Sequence, residues 1–145
     1  MEVSNLTQKM FELPYQFAVP DILYYDELEE EHENLIEYGL IMKTLSSESI
    51  SYVDETLYKY HKIGFYDKLA LATAKQESCL LVTGDGALRK AGQKEAVVIF
   101  GTVWLIDELI SHSIISLDEA KEAYALMKIS GRRLPWKIIE ERLRF

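Results

Sequence analysis

The chain has 145 residues, of which 48% are hydrophobic and 28% charged, with three Pro and seven Gly. That length and balance fit one soluble domain with a real core, and they exclude a disordered chain or a Pro/Gly-rich linker. Sixteen basic against 24 acidic residues give a net charge of −8 and a pI near 4.9. An acidic chain is a poor non-specific binder of nucleic acid, so any such role needs a local basic patch.

Elements in chain order. Residues 5–13 read as a short helix, closed before Pro14. Residues 15–19 are a short apolar strand. Pro20 suits the first turn of a helix running to about Tyr38, with Gly39 as the residue that ends it. Residues 40–45 read as a strand. Residues 46–60 read as a helix, with Ile50, Val53, Leu57 and Tyr60 at 3–4 spacing. Residues 65–76 form the next helix, with Phe65, Leu69 and Ala72 on one face. Leu80-Leu81-Val82-Thr83 is a continuous apolar strand, of the kind covered on both faces. Gly84-Asp85-Gly86 turns the chain into a short helix through Leu88 and Ala91. Residues 97–100 are a strand, and Gly101-Thr102 leads into a helix over residues 103–111. Ser116-Leu117-Asp118-Glu119 has capping-box spacing, and Leu117, Ala120, Tyr124 and Met127 form the buried stripe that follows. Gly131 ends that helix and Pro135 opens the last one.

Strands and helices alternate with short connections. The pattern predicts an α/β fold, a parallel sheet with helices on both faces, as one domain over residues 1–145 with a helical extension from about 116. No repeat and no low-complexity segment interrupts it. The single cysteine, Cys79, excludes an internal disulfide framework, and its place at the head of an apolar run reads as a buried small hydrophobe. His32, His61 and His112 have no zinc-type spacing. No apolar run approaches a membrane span, and the first five residues carry neither the basic nor the apolar region of a signal peptide. The cytoplasm is the expected location, with no membrane partner.

In a parallel sheet every strand ends on one edge, and a helix that precedes a strand begins at that edge. Asp67 lies in the first turn of the helix before the strand at 80–83, and Asp85 lies just past that strand. Both therefore belong at the carboxyl edge, where open α/β sheets bind ligands. Asp26 and Glu27 start from the same edge, one to two turns into the helix after the strand at 15–19. Convergent carboxylates repel unless a cation holds them, and hard divalent ions such as Mg²⁺ take oxygen ligands and substrate phosphates. The functional reading is phosphodiester hydrolysis at an acidic metal site. The plain reading is also open. An Asp in a first turn is favoured by the helix dipole, Gly-Asp-Gly is an ordinary turn, and Asp26–Glu31 is a solvated acidic face.

Several motifs together carry a family resemblance. Phe65-Tyr66-Asp67-Lys68-Leu69-Ala70-Leu71-Ala72, then Leu81-Val82-Thr83-Gly84-Asp85, Leu88-Arg89, Gly101-Thr102 and Trp104-Leu105-Ile106-Asp107-Glu108-Leu109 resemble the PIN-domain family in order and spacing. Ile115-Ser116, Glu119-Ala120 and Gly131-Arg132-Arg133-Leu134-Pro135 resemble its toxin-like, uncharacterised branch, and the likeness runs from about Leu13 to the C-terminus. The resemblance implies a metal-dependent ribonuclease using Mg²⁺ or Mn²⁺, with RNA as substrate, and a toxin of a type II toxin–antitoxin pair with an antitoxin protein as partner. It implies catalytic and metal-binding roles for Asp67, Asp85 and Glu27. Asp26 is the alternative to Glu27, which is favoured by the following Leu28. The family also begins with a central strand carrying an Asp, which this sequence does not match. Met1-Glu2-Val3-Ser4-Asn5-Leu6 resembles the loop and helix after that strand. Three explanations compete: a misassigned start codon, an inactive truncated relative, or a homodimer or rearrangement covering the gap. Activity then depends on a longer natural chain supplying the Asp, and the alternative function is a non-catalytic dimerisation or partner-binding module.

Charge is uneven. Residues 128–145 hold six bases, Lys128, Arg132, Arg133, Lys137, Arg142 and Arg144, against two acids, a local +4 on a body of −12. This tail reads either as a phosphate-contacting patch or as a partner for the acidic helix near Asp26–Glu37, in the fold or in a dimer. Trp104 and Trp136 read as core or interface residues.

Overall fold

The computed structural model describes residues 6–32 and 34–143. The elements are α1 (Thr7–Met10), β1 (Ala18–Pro20), α2 (Asp21–Leu23) continued by a π-turn (Tyr24–Leu28), α3 (Asn34–Tyr38), β2 (Ile41–Lys43) and α4 (Ser47–Glu55). A 3₁₀ turn (Leu57–Lys59) leads to α5 (Phe65–Gln76), β3 (Leu81–Val82), α6 (Gly86–Lys94), β4 (Ile99–Phe100), α7 (Thr102–Ser111), α8 (Leu117–Ile129) and α9 (Trp136–Leu143). The chain forms two compact units, one made by Gln16–Phe100 and the other by Met1–Tyr15 with Gly101–Phe145.

The first unit is α/β. β1 pairs with β2 in parallel, with Ala18 opposite Ile41 and Pro20 opposite Lys43. β3 pairs with β4 in parallel, with Leu81 opposite Ile99. The expected single sheet is thus two separate two-stranded sheets, because no strand among the described residues bridges them. The opening segment that resembles a post-strand loop lies, up to Asn5, outside the described residues. The helix α5 packs against β1, β3, α4 and α6. It buries Leu69, Leu71, Ala72 and Ala74 in a core shared with Leu45, Val53, Leu57, Ile63, Leu88, Ala91 and Val97. Among the described residues the one buried polar residue is Thr73 of α5, which donates its hydroxyl to the Leu69 carbonyl at 2.8 Å, so its burial leaves no unmade bond.

Four expectations are corrected in this unit. Pro20 closes β1 with an extended backbone rather than opening a helix (φ −59°, ψ 137°); a proline φ suits either. The helix expected over 20–38 is broken, and Asp26 to Glu31 holds like charges four residues apart that work against a continuous helix. The helix expected over 46–60 ends at Glu55, and Ile50 on its apolar stripe is exposed. Cys79 is exposed, because Ser78 takes a left-handed turn (φ 52°) after α5 and the ladder begins only at Leu81.

The second unit is helical. α7 packs on α1 and on α8. The Ser116–Glu119 capping box forms as its spacing predicts, in both directions. The stripe buries Ala120, Ala123, Tyr124 and Met127, whereas Leu117, the first helical residue, is exposed. Two bases of the C-terminal stretch meet acids other than the expected ones near Asp26–Glu37: Lys128 meets Glu140 at 3.2 Å and Arg142 meets Asp107 at 2.7 Å.

Candidate functional site

The carboxyl ends of both sheets converge on the N-terminus of α5. At the first sheet, the chain leaves β1 at Asp21 and leaves β2 at Thr44. The Thr44 hydroxyl donates to Asp21 Oδ2 at 2.9 Å, and the backbone N–H of Ile22 donates to Asp21 Oδ1 at 2.8 Å. At the second sheet, β3 runs into Thr83-Gly84-Asp85. Asp85 caps α6 by accepting from the Leu88 N–H at 2.8 Å, and its own N–H donates to Thr83 Oγ1 at 3.2 Å. These bonds fix the direction in which the Asp85 carboxylate points and leave its second oxygen uncommitted.

Asp67 enters from α5. Gly64 caps that helix without a side chain, so Asp67 sits in a first turn where backbone N–H groups favour a negative charge. Its carboxyl is nevertheless pushed above the usual carboxylate range, first by burial and then by the charge of Asp85. The Asp67 carboxylate accepts no hydrogen bond from the described residues.

The third approach is the π-turn after β1. Tyr66, immediately before Asp67, donates its hydroxyl to Asp26 Oδ2 at 2.8 Å. That bond, then burial, then the charges of Asp26 and Glu27 hold the Tyr66 phenol protonated above its ordinary range. Of the two adjacent acids, Asp26 is therefore the one tied to α5, while Glu27 acts on Tyr66 only through its charge. Asp26 and Glu27 are both exposed.

The four acids singled out in the sequence thus divide. Asp85 acts on Asp67 through its charge, whereas Asp26 is tied to the neighbouring Tyr66 and Glu27 reaches that tyrosine only by its charge. No three Asp, Glu, His or Cys side chains converge to ligate one metal ion among the described residues. The donor chemistry still fits a hard divalent cation. Mg²⁺ is commonly held by one or two carboxylates, the remaining positions going to water and substrate phosphate, and Asp67 and Asp85 keep oxygens free for such a role. Tyr66 and Thr83 stand in the motifs quoted from the sequence but were given no role there, and the Asp21–Thr44 pair was not foreseen. Only Thr83 had a local signal, as the hydroxyl two residues before a capping Asp.

Fold and site together define an α/β protein with an acidic site at the carboxyl edge of parallel strands. Residues 5–145 match the PIN domain family, and the chain belongs to it. PIN domains point to nuclease-type function, generally use divalent metal ions and commonly act on RNA. No curated protein and no solved structure matches the chain. Among the described residues no helix is long and apolar enough to cross a membrane.

Proposed function

We propose that this chain is a metal-dependent ribonuclease whose cation is held by Asp67 and Asp85. The observation that supports it is the convergence of these two carboxylates, from separate elements, on one sheet edge. Mg²⁺ or Mn²⁺ at that position would polarise a phosphoryl oxygen and lower the pKa of a bound water. Asp85 is pre-oriented by its cap and by Thr83, so little reordering is needed when a ligand binds. Asp67 presents a half-buried carboxylate with no competing hydrogen bond. Tyr66 holds Asp26 at the same sheet edge, where it would orient a water on the cation rather than ligate it. The closing test is RNA cleavage with Mn²⁺ or Mg²⁺, with and without chelator. The Asp67→Asn/Asp85→Asn double variant should lose about a hundredfold or more of the metal-dependent rate. Equal cleavage by the variant and the wild type overturns the reading.

A second reading is a non-catalytic module that pairs with another chain or with a second copy. It is supported by the two-stranded sheets, since β1 and β3 each have a single ladder partner among the described residues. Unpaired strand edges favour pairing with another strand. Light scattering separates the readings: a monomer that binds Mn²⁺ and cleaves RNA rules the second one out.

A further inference from the structure

The charge on α6 runs against that of the chain. Gly86–Lys94 holds Arg89, Lys90 and Lys94 and no acid, a local +3 where the other residues sum to −11. Leu88, Ala91 and Gly92 are buried, whereas Arg89, Lys90, Gln93 and Lys94 are exposed. At about 100° per residue these four fall on one face, opposite the buried three. None of the three bases has an ion pair or a side-chain hydrogen bond among the described residues. Glu95, the next acid along, is turned away, its carboxylate accepting from Tyr52 and Tyr60. The helix is seated close on its sheet, because a Cβ on Gly92 would overlap Ile99. It starts at its cap, Asp85, and one turn on the Arg89 N–H donates to the Asp85 carbonyl at 3.1 Å. At about 1.5 Å per residue the bases lie about 6 to 14 Å from Asp85 along the axis. Protein interfaces gather aromatic and apolar groups at their centre and are depleted in Lys, and this face offers no such group. A row of uncommitted cations on a rigid helix fits a phosphate backbone instead.

We propose that the outer face of α6 is a track for an RNA backbone, on which Arg89, Lys90 and Lys94 hold phosphates on one side of the strand position at Asp85. The inference rests on the ribonuclease reading of the acidic edge. A net charge of −8 gives the whole chain no general attraction for a polyanion, so a strand must be drawn in locally. The track does this one helical turn from the carboxylates, and its charges stay on the far side of α6 from the core. Contacts to phosphates carry no sequence information, so the track sets the strand's path without choosing its bases.

The test measures binding rather than turnover. Fluorescein-labelled single-stranded RNA is titrated with protein in Ca²⁺, with anisotropy as the readout, over a series of salt concentrations. Arg89→Gln/Lys90→Gln/Lys94→Gln should weaken binding about tenfold or more at low salt, equally for U-rich and A-rich strands. It should lower the slope of log K against log salt by about 2, and Lys94→Gln alone by about 0.7. The thermal melt should stay at the wild-type value, because the three side chains are exposed. Arg132→Gln/Arg133→Gln/Lys137→Gln removes the same charge from the C-terminal stretch and should change the slope far less. An unaltered slope in both α6 variants overturns the proposal. Equal losses in the two triple variants do so too, by making net charge alone the cause. Poly-glutamate that displaces labelled RNA better than unlabelled RNA does would assign the face to an acidic protein segment, and a wild type that binds no RNA would leave the track without its ligand; either result overturns the proposal. These outcomes are separable from failure of the metal reading, which appears as unaltered cleavage in Asp67→Asn/Asp85→Asn.

Discussion

Asp26 and Glu27 are adjacent, and one tyrosine hydroxyl distinguishes them. In an α-helix each residue turns the next by about 100°, so two neighbours rarely serve the same point. The backbone here takes a π-turn, with the Glu29 N–H reaching the Tyr24 carbonyl at 2.8 Å, and the extra residue shifts the phase of everything that follows. Sequence spacing assumes a regular period and so could not separate the two acids, and the resemblance favoured Glu27 only by the Leu28 that follows it. The positions of Asp67 and Asp85 were legible because each follows from a local rule: an acid in a first helical turn, and an Asp closing a strand before a helix. Tyr66 was not legible, because its role depends on an element forty residues away. Removing its hydroxyl tests the assignment. Tyr66→Phe keeps the ring contact with Phe65 but releases Asp26, and loss of such an orienting bond typically weakens metal binding about tenfold. Calorimetric titration with Mn²⁺ should show that loss, with Asp26→Asn similar and Glu27→Gln close to the wild type. Unchanged affinity in both Tyr66→Phe and Asp26→Asn would place Asp26 outside the site.

At the scale of elements, helices with a local start signal came out near the boundaries their sequences predict. α5 follows Gly64, α7 follows Gly101, and α8 follows its capping box. The strands are shorter than their apolar runs, since a two-stranded ladder ends where its single partner ends, and an apolar run cannot say how far the partner extends. The contact that seats α6 on the second sheet was also invisible. Gly92 lies in α6, buried, over Ile99 of β4. A Cβ there would overlap Ile99 Cδ1 and come 2.9 Å from Ile99 Cγ1 and 3.6 Å from Leu71 Cδ1. In an exposed helix interior, Gly to Ala would gain about 1 kcal/mol from helix propensity alone. Here the overlap forces Ile99 off its rotamer or α6 off the sheet, at about 1–3 kcal/mol. Gly92→Ala should therefore lower the urea midpoint, whereas Gly86→Ala, which meets nothing within 4 Å, should not. A higher midpoint for Gly92→Ala would show that Ile99 repacks freely and that close helix–sheet approach is not the reason for the glycine.

At the scale of the whole molecule, pairings distant in sequence were the least legible. Alternation predicted parallel strands correctly, but the division into two sheets depends on which edges meet, and no local signal encodes that. The same holds for the network that ties the far end of α6 to α4 and α5. The Glu95 side chain, 9% exposed, accepts from Tyr52 at 2.6 Å and from Tyr60 at 2.5 Å, with the Lys59 ammonium at 3.6 Å; Lys75 donates to the Glu95 carbonyl at 3.0 Å. Burial alone would raise the Glu95 carboxyl, but the two hydroxyls and the two ammonium groups outweigh it and hold it below its ordinary range. A depressed folded-state pKa means that this stabilisation is present above the unfolded carboxylate range and is lost as pH falls through the lower folded value. The tyrosines act on the alkaline side. Tyr60 is pushed up to about 12, first by its bond to Glu95, and Tyr52 is raised, first by burial. Their stabilisation is present below the ordinary tyrosine value near 10 and is lost as pH rises through the raised folded values. Urea midpoints against pH should therefore fall at both extremes, with a plateau between the carboxylate and tyrosine ranges. In Glu95→Gln the neutral amide neither titrates nor repels a phenolate. The acid-side fall should shrink, the plateau should drop, and tyrosinate absorbance should appear at lower pH than in the wild type. A Glu95→Gln protein with the wild-type plateau and the wild-type tyrosinate titration would remove Glu95 as the residue that joins these elements.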